Sequence, residues 1–301
     1  MIGVLVMAYG TPSTPADVEA YYTRIRYGRA PSPDQLADLV RRYNAIGGTS
    51  PLARRTADQV RGVAEALEAL APGTYDVRFG SKYEPPLLEE AAENFRRDGV
   101  RDVIGLALAP HSSSMSTLQY MNRARAALGE DVRFVPVGAW WEAPGFLELI
   151  AARVQEALEL IPGSRRATCE VLFSAHSLPE KILASGDDYP EQLRESARRA
   201  AQLAGVARWD VAWQSAGRTA DPWIGPDILQ VLRAKFSDGV TDIVSCPIGF
   251  VSDHLEVLFD LDVEAAAVAH EIGLNFVRTA SLNDDPQFMA ILARIIHDAA
   301  Q

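Results

Sequence analysis

The residues best suited to chemistry stand in two stretches of the second half of the chain. In VLFSAHSLPEK, residues 171 to 181, an apolar run ends in His176 and the chain turns at Pro179. An imidazole titrates near neutrality and can accept a proton or ligate a borderline metal such as iron. In DHLEVLFDLDVEAAAVAHE, residues 253 to 271, Glu256, Asp260 and Glu264 recur every four residues, which on a helix forms one stripe. Solvated like charges at that spacing cost about 0.2–0.5 kcal/mol per pair, and no Lys or Arg is interleaved to offset them. The apolar neighbours Leu255, Val257, Leu258, Phe259, Leu261 and Val263 draw part of the stripe inside, where a carboxylate needs a cation or a shared proton. A path for a hard cation or for protons, ending at Glu256, is the chemistry suggested.

A second group lies nearer the start. YYTRIRYGRAPSP (21 to 33) and RRYNAIGGTSPL (41 to 52) concentrate Arg and Tyr. Guanidinium forks pair bidentately with carboxylates, and aromatic faces stack on flat apolar molecules. The matching ligand is flat, apolar in the middle and acidic at its rim. Residues 1 to 55 hold seven arginines against Asp17, Glu19, Asp34 and Asp38, although the whole chain carries a net charge of -11. The overall balance disfavours nucleic acid or an anionic membrane as partner, while the local excess suits a small anion.

Short β-rich runs alternate with helical patterns throughout the 301 residues. Strands are predicted at 2 to 8, 75 to 81, 103 to 110, 169 to 175, 209 to 215, 242 to 250 and 274 to 279. Helices are predicted around 14 to 24, 34 to 44, 55 to 70, 86 to 97, 144 to 160, 190 to 204 and 227 to 236, from about 253, and at 286 to 299. Near-continuous apolar strands separated by helices indicate parallel sheets covered on both faces. The halves also repeat one another in order: VLVMAYGTP (4 to 12) matches VLFSAHSLP (171 to 179), YDVRFGS matches WDVAWQS, and DGVRDVIGLALAP matches DGVTDIVSCPIGF. The expectation is an α/β fold of two Rossmann-like domains related by an internal repeat, 1–141 and 142–301. The final helix, with Phe288, Ile291, Leu292, Ile295 and Ile296 on one face, is expected to pack back on the first domain. Tyr9 and His176 become equivalent positions at strand ends, where open α/β sheets bind ligands.

Composition is that of a globular protein, at 48% hydrophobic and 23% charged residues. Cys169 and Cys246 sit in apolar runs without metal-ligand spacing, so they read as core thiols of a cytoplasmic protein, and two cysteines cannot hold an all-cysteine iron–sulfur cluster. The chain opens directly into IGVLVMAYG, with no leader pattern, and no apolar run reaches the roughly 20 residues that span a bilayer. The AHS stretch lacks the GxSxG elbow of a serine hydrolase.

These blocks resemble the ferrochelatase family, specifically its short bacterial type acting on coproporphyrin. LVMAYGTP, IGGTSPL, APHSSSMSTLQY, SAHSLPEKILASGDDYP, WQSAGRTADPWIGPD and GFVSDHLEVLFDLDVE follow in family order from Leu5 to Glu264. The resemblance implies a porphyrin cleft between two domains and insertion of Fe²⁺ into coproporphyrin III, giving coproheme in heme biosynthesis. It makes His176 and Glu256 the catalytic metal and proton pair, continues the metal path through Asp260 and Glu264, and places Tyr9 on the opposite face of the macrocycle. Arg26, Arg42, Tyr43, Ser50, Lys82 and Tyr120 correspond to porphyrin-binding positions. Iron is then a substrate, with no tightly bound cofactor and no [2Fe-2S] cluster, and the chain is expected to act as a monomer that passes product to a later heme-pathway enzyme without stable membrane insertion. Alternatives are a protoporphyrin IX ferrochelatase, another tetrapyrrole chelatase of the cobalt or sirohydrochlorin kind, and a non-catalytic tetrapyrrole-binding protein. The sirohydrochlorin kind usually relies on paired histidines; here His111 reads as structural and His254 is left open.

Overall fold

The inner β-rich runs become strands whose residues alternate between two buried faces, and the edge runs are half-buried. The strands are β1 (Ile2–Ala8), β2 (Tyr75–Ser81), β3 (Asp102–Ala107), β4 (Arg133–Pro136), β5 (Glu170–His176), β6 (Trp209–Gln214), β7 (Asp242–Cys246) and β8 (Asn275–Arg278). The computed structural model describes every residue except 218 and 220, so that portion of the WQSAGRTADPWIGPD block lies outside the described residues. Two four-stranded sheets form, ordered β2-β1-β3-β4 and β6-β5-β7-β8, and every pairing is parallel. The second order reproduces the first strand for strand.

Two elements were not legible beforehand. Strand β4 has four residues, of which only Phe134 is buried, too short for an alternating pattern. Helix Thr117–Leu128 buries Thr117, Tyr120, Met121, Ala124 and Leu128 at helical spacing, but Thr and Ala make that stripe faint.

The repeated DGV has a local physical cause. After helix Leu88–Arg97, Gly99 takes φ 76°, and Val100 N donates to Phe95 O at 3.0 Å. After helix Ile228–Ser237, Gly239 takes φ 87°, and Val240 N donates to Lys235 O at 3.0 Å. This left-handed cap satisfies end carbonyls that would otherwise lack partners, and glycine pays no Cβ penalty there. Each cap aims the chain into the next strand, β3 or β7.

Burial follows the period-2 pattern of the strands. On β1, Val4 and Val6 join a core shared with β5 residues Val171, Phe173 and Ala175. Leu5 and Met7 instead face the outer layer of the first sheet with Phe95 and Leu128, and Leu172 faces the outer layer of the second with Leu232 and Leu261. The shared core is completed by helices Phe146–Glu159 and Pro286–Ala299, whose Phe146 and Phe288 are fully buried beside Trp140. Helix Pro286–Ala299 lies along helix Leu52–Leu70 of the first half, with Tyr75 Oη 2.8 Å from His297 Nδ1. Among the described residues no helix is long and apolar enough to cross a membrane. Truncating Phe288 to Ala in this shared core is expected to cost about 3–5 kcal/mol, read as a lower midpoint of one cooperative denaturant transition.

Candidate functional site

The loops after β1 and β5 leave at the point where strand order reverses in each sheet, the usual ligand position of open α/β folds. His176 is the last residue of β5, and the following HSLP segment is pinned rather than free. Ser177 N donates to Gln214 O at 2.8 Å, Ser177 Oγ to Ile224 O at 2.6 Å, and Ile224 N to Leu178 O at 2.9 Å. The buried Ser177 hydroxyl is therefore spent on structure, which disposes of a nucleophilic role. Packing behind the histidine is also tight: a Cβ on Gly249 would come within 2.4 Å of the Ala175 Cβ. Tyr189 Oη donates to the His176 carbonyl at 3.0 Å.

The ring of His176 is oriented from one side. Its Nδ1 donates to the Ser177 carbonyl, which turns Nε2 toward Glu256 Oε1 at 3.5 Å. The other Glu256 oxygen lies 3.5 Å from Nε2 of His254. His254, whose role the sequence leaves open, thus pairs with Glu256. A regular helical pattern places residues two apart on different faces, but His254 is the extended residue preceding the helix (φ -154°, ψ 179°), so its ring reaches back to Glu256. His111, by contrast, is buried away from the pair and shares a hydrogen bond with Ser196 Oγ at 2.8 Å.

The acidic stripe is carried on an unexpected element. After one turn at Leu255–Val257 the chain runs as a π-helix over Leu258–Ala265. In an α-helix a four-residue step overshoots a full turn by about 40°, so positions i, i+4 and i+8 drift around the axis. The wider π turn makes the same step fall slightly short of a full turn, so the two offset one another along the stripe, and π turns are frequent at functional sites. Asp260 is buried at 5% exposure, while Glu256 and Glu264 are half-buried. Ser215 Oγ, on a residue held at φ 61°, donates to Asp260 Oδ2, and Arg42 Nη1 approaches Oδ1 at 3.9 Å. The missing counter-cation of the stripe is therefore supplied by another element: Arg42, on helix Pro33–Ala45, also pairs with Asp38 at 3.1 Å and lies over the Phe259 ring. Among the described residues no three or more His, Cys, Asp or Glu side chains are gathered to hold a metal ion. His176, Glu256, Asp260 and Glu264 follow one another rather than enclosing a cage, since the last two sit on successive turns beyond the first pair.

Electrostatics couple these groups. Burial lowers the His176 pKa, but the Glu256 charge and hydrogen bond, the Ser177 carbonyl and Asp260 outweigh it and raise it to about 9. Burial likewise opposes ionisation of Glu256, and the two imidazoles overcome it, holding this carboxyl well below its usual range. Asp260 is pushed up to about 6 by burial and by the Glu256 charge. After burial, the Glu256 charge also helps raise the phenols of Tyr9, Tyr21, Tyr43, Tyr120 and Tyr189. Four of these five belong to the first half of the chain, so the Glu256 charge acts on phenols of both halves.

The remaining anticipated residues all belong to the first half of the chain. Tyr9 is 42% exposed and meets the Tyr83 ring edge-on at 4.9 Å. Buried Tyr43 shares a hydrogen bond with Thr11 at 3.2 Å, and buried Ser50 accepts from Leu52 N at 3.2 Å. Lys82 is buried, donates to Gln119 Oε1 at 2.6 Å and lies 5.2 Å from the Tyr120 ring centre; burial first, then Arg123, lowers its pKa to about 8. Arg26 is half-buried over Tyr22, and its Nε donates to the Arg29 carbonyl at 3.2 Å. Among the described residues neither Arg26, Arg29 nor Lys82 has a carboxylate partner. Tyr21, Tyr189 and Ser215 also act on Glu256 or Asp260 and are not singled out by the sequence, because only folding brings them near these carboxylates.

Two like-built parallel sheets with this constellation at their strand ends define a protein of the chelatase fold. The sirohydrochlorin chelatase of Bacillus subtilis subspecies spizizenii in complex with cobalt superposes with a TM-score of 0.59 at 9% identity, covering 100% of this chain and 96% of that one. The terminal enzyme for siroheme biosynthesis in denitrifying bacteria gives a TM-score of 0.54 at 16% identity, covering 99% of each chain. The ferrochelatase family profile matches residues 1–300. The coproporphyrin III ferrochelatase of Geobacillus kaustophilus is 42% identical, covering 98% of this chain and 94% of that protein. The ferrochelatase of Herpetosiphon aurantiacus is also 42% identical, covering 97% of each. The chain belongs to the ferrochelatase family.

In Glu256→Gln the imidazole of His176 keeps its burial but loses its anion, so its pKa is expected to fall from about 9 to 6.5 or below in an NMR titration. The same raised value means that His176 stabilises the fold fully below 6.5 and that this contribution is lost as pH rises through about 9. Asp260 carries its penalty once ionised, so its share of stability falls as pH rises from 3.8 to about 6.

Proposed function

We propose that the protein inserts Fe²⁺ into coproporphyrin III, giving coproheme. The observation that carries this reading is the Glu256 carboxylate, held 3.5 Å from each of two imidazoles at the strand ends of the second sheet. Relatives named as coproporphyrin III ferrochelatases, at 42% identity over nearly the whole chain, support the choice of porphyrin. Coproporphyrin carries propionates where protoporphyrin IX carries vinyl groups, and Arg26, Arg29 and Lys82, which have no carboxylate partner among the described residues, suit that more acidic rim.

In this reading 1–141 and 142–301 act as two domains about the macrocycle. Tyr9 stands on one face, and Arg26, Arg42, Tyr43, Ser50, Lys82 and Tyr120 hold the porphyrin. His176 and Glu256 stand on the other face, with Asp260 and Glu264 extending a route for cations inward or protons outward. Insertion releases two pyrrole protons as the dication enters, so charge is conserved within the site. His176 Nε2 cannot hold a proton and a metal together; an approaching dication lowers its proton affinity, and Glu256 balances the charge that moves. The proposal includes no resident cofactor, action as a monomer in the cytoplasm, and delivery of product to a later heme-pathway enzyme.

Metal-free coproporphyrin III mixed with Fe²⁺ under anaerobic conditions tests the activity. A chelatase converts the four-band free-base visible spectrum to that of a metalloporphyrin, whereas a binding protein shifts the Soret band alone; absence of conversion above the protein-free rate refutes the proposal. Protoporphyrin IX is expected to turn over more slowly. His176→Ala is expected to lose about 10²–10⁴-fold in insertion rate while retaining porphyrin affinity, and wild-type turnover in that variant would remove His176 from the mechanism.

A further inference from the structure

We propose that Asp187 is a positioning residue that holds the porphyrin side and the metal side of the site in register. The proposal rests on the ferrochelatase reading above. Asp187 belongs to the ASGDDYP loop after β5, yet three of its hydrogen bonds go to the other half of the chain. Its Oδ2 accepts from Ser113 Oγ at 2.9 Å, Ser114 N at 2.7 Å and Ser114 Oγ at 2.7 Å. Its Oδ1 accepts from Tyr189 N at 3.1 Å, the start of helix Tyr189–Ala204. One anion thus serves the approaches to two helices, one from each half.

Both branches run to the site. In the first half, Ser113 N and Ser112 Oγ engage Thr117 Oγ1, at 3.2 Å and 3.0 Å, and so anchor helix Thr117–Leu128. That helix carries Tyr120 and Gln119, the acceptor of the Lys82 ammonium. In the second half, Tyr189 Oη donates to the His176 carbonyl at 3.0 Å, and the His176 ring is oriented by the next carbonyl. The groups that would grip the macrocycle and the imidazole that would meet the metal are on different sheets, so their separation depends on such connections. Charge-assisted bonds to backbone and hydroxyl donors are short and directional, well suited to fixing a distance. Burial works against the Asp187 anion, but the Ser114, Ser113 and Tyr189 donors prevail and lower its pKa, so it stays ionised.

Asp187 is not the sole tie between the halves. Gln192 pairs with the Ser112 backbone at 2.9 Å and 3.1 Å, His111 meets Ser196 at 2.8 Å, and the shared core joins both sheets. Loss of Asp187 should therefore alter register without separating the halves. A misplacement near 1 Å can cost up to about 10²-fold in rate.

The test compares wild type, Asp187→Ala, Asp187→Asn and Ser114→Ala in the full chain. Asp187→Ala is expected to lose about tenfold or more in kcat, while the Kd for metal-free coproporphyrin III changes less than about threefold. Asp187→Asn, which keeps an acceptor oxygen, should recover part of the loss. Adding Ser114→Ala to Asp187→Ala should cost nothing more, because the Ser114 hydroxyl is already uncoupled. Unchanged kcat in Asp187→Ala overturns the proposal, as does a loss that Phe288→Ala reproduces at equal melting temperature. If Asp187→Ala does not fold, Ser114→Ala, which removes only a hydroxyl, decides by the same kcat-against-Kd split. The His176 imidazole NMR signal, recorded without substrate, is expected to shift in Asp187→Ala. If the wild type inserts no iron but the signal shifts, the functional reading fails and the coupling of Asp187 to His176 stands; an unmoved signal refutes that coupling.

Discussion

A carboxylate kept ionised in a half-buried position is costly, and the site is organised around meeting that cost. Glu256 is held by His176 on one oxygen and His254 on the other, and the same charge raises the proton affinity of His176, Asp260 and the surrounding phenols. Each partner arrives from a different place: His176 from the end of β5, His254 from the residue before the helix, Asp260 from the π-helical turn that follows. The pair is a polar centre that only the assembled sheet can hold.

The rest of the molecule makes that assembly rigid. Alternate faces of β1 and β5 share one core, which binds the two sheets through helices Phe146–Glu159 and Pro286–Ala299. Shared burial controls how far apart the sheets lie, but apolar packing is non-directional and sets relative rotation weakly. Directional bonds across the halves, at Asp187, Gln192 and His111, act at that second level. They run from the serine loop after β3 to the helix that begins with Tyr189, beside the histidine itself. Coarse placement by burial and fine placement by charged hydrogen bonds are thus separate contributions.

Much of this was legible in the chain. Apolar runs and their order predicted two parallel sheets, because a strand buried on both faces must be apolar at nearly every position. The match of VLVMAYGTP to VLFSAHSLP set Tyr9 against His176 as equivalent strand ends, and the strand orders agree with it. The interleaving of Glu256, Asp260 and Glu264 with large apolar residues signalled partial burial, which Asp260 shows at 5% exposure. Local rules carry these features: period-2 burial, helical spacing, and the glycine cap of DGV.

Tertiary structure alone decided the partners. Nothing in the spacing of His254 marks it as the second imidazole on Glu256, since a regular helix would have pointed it elsewhere. The cation beside Asp260 comes from Arg42, more than two hundred residues away, and the hydroxyl on its other oxygen from Ser215 at the end of β6. Asp187 carries no mark in the sequence, and only the fold brings its oxygens to Ser113 and Ser114. Sequence determines which groups are available and which faces are buried, because both follow from local chemistry. Which groups meet depends on through-space geometry, because hydrogen bonds and Coulomb forces act over a few ångströms irrespective of separation along the chain.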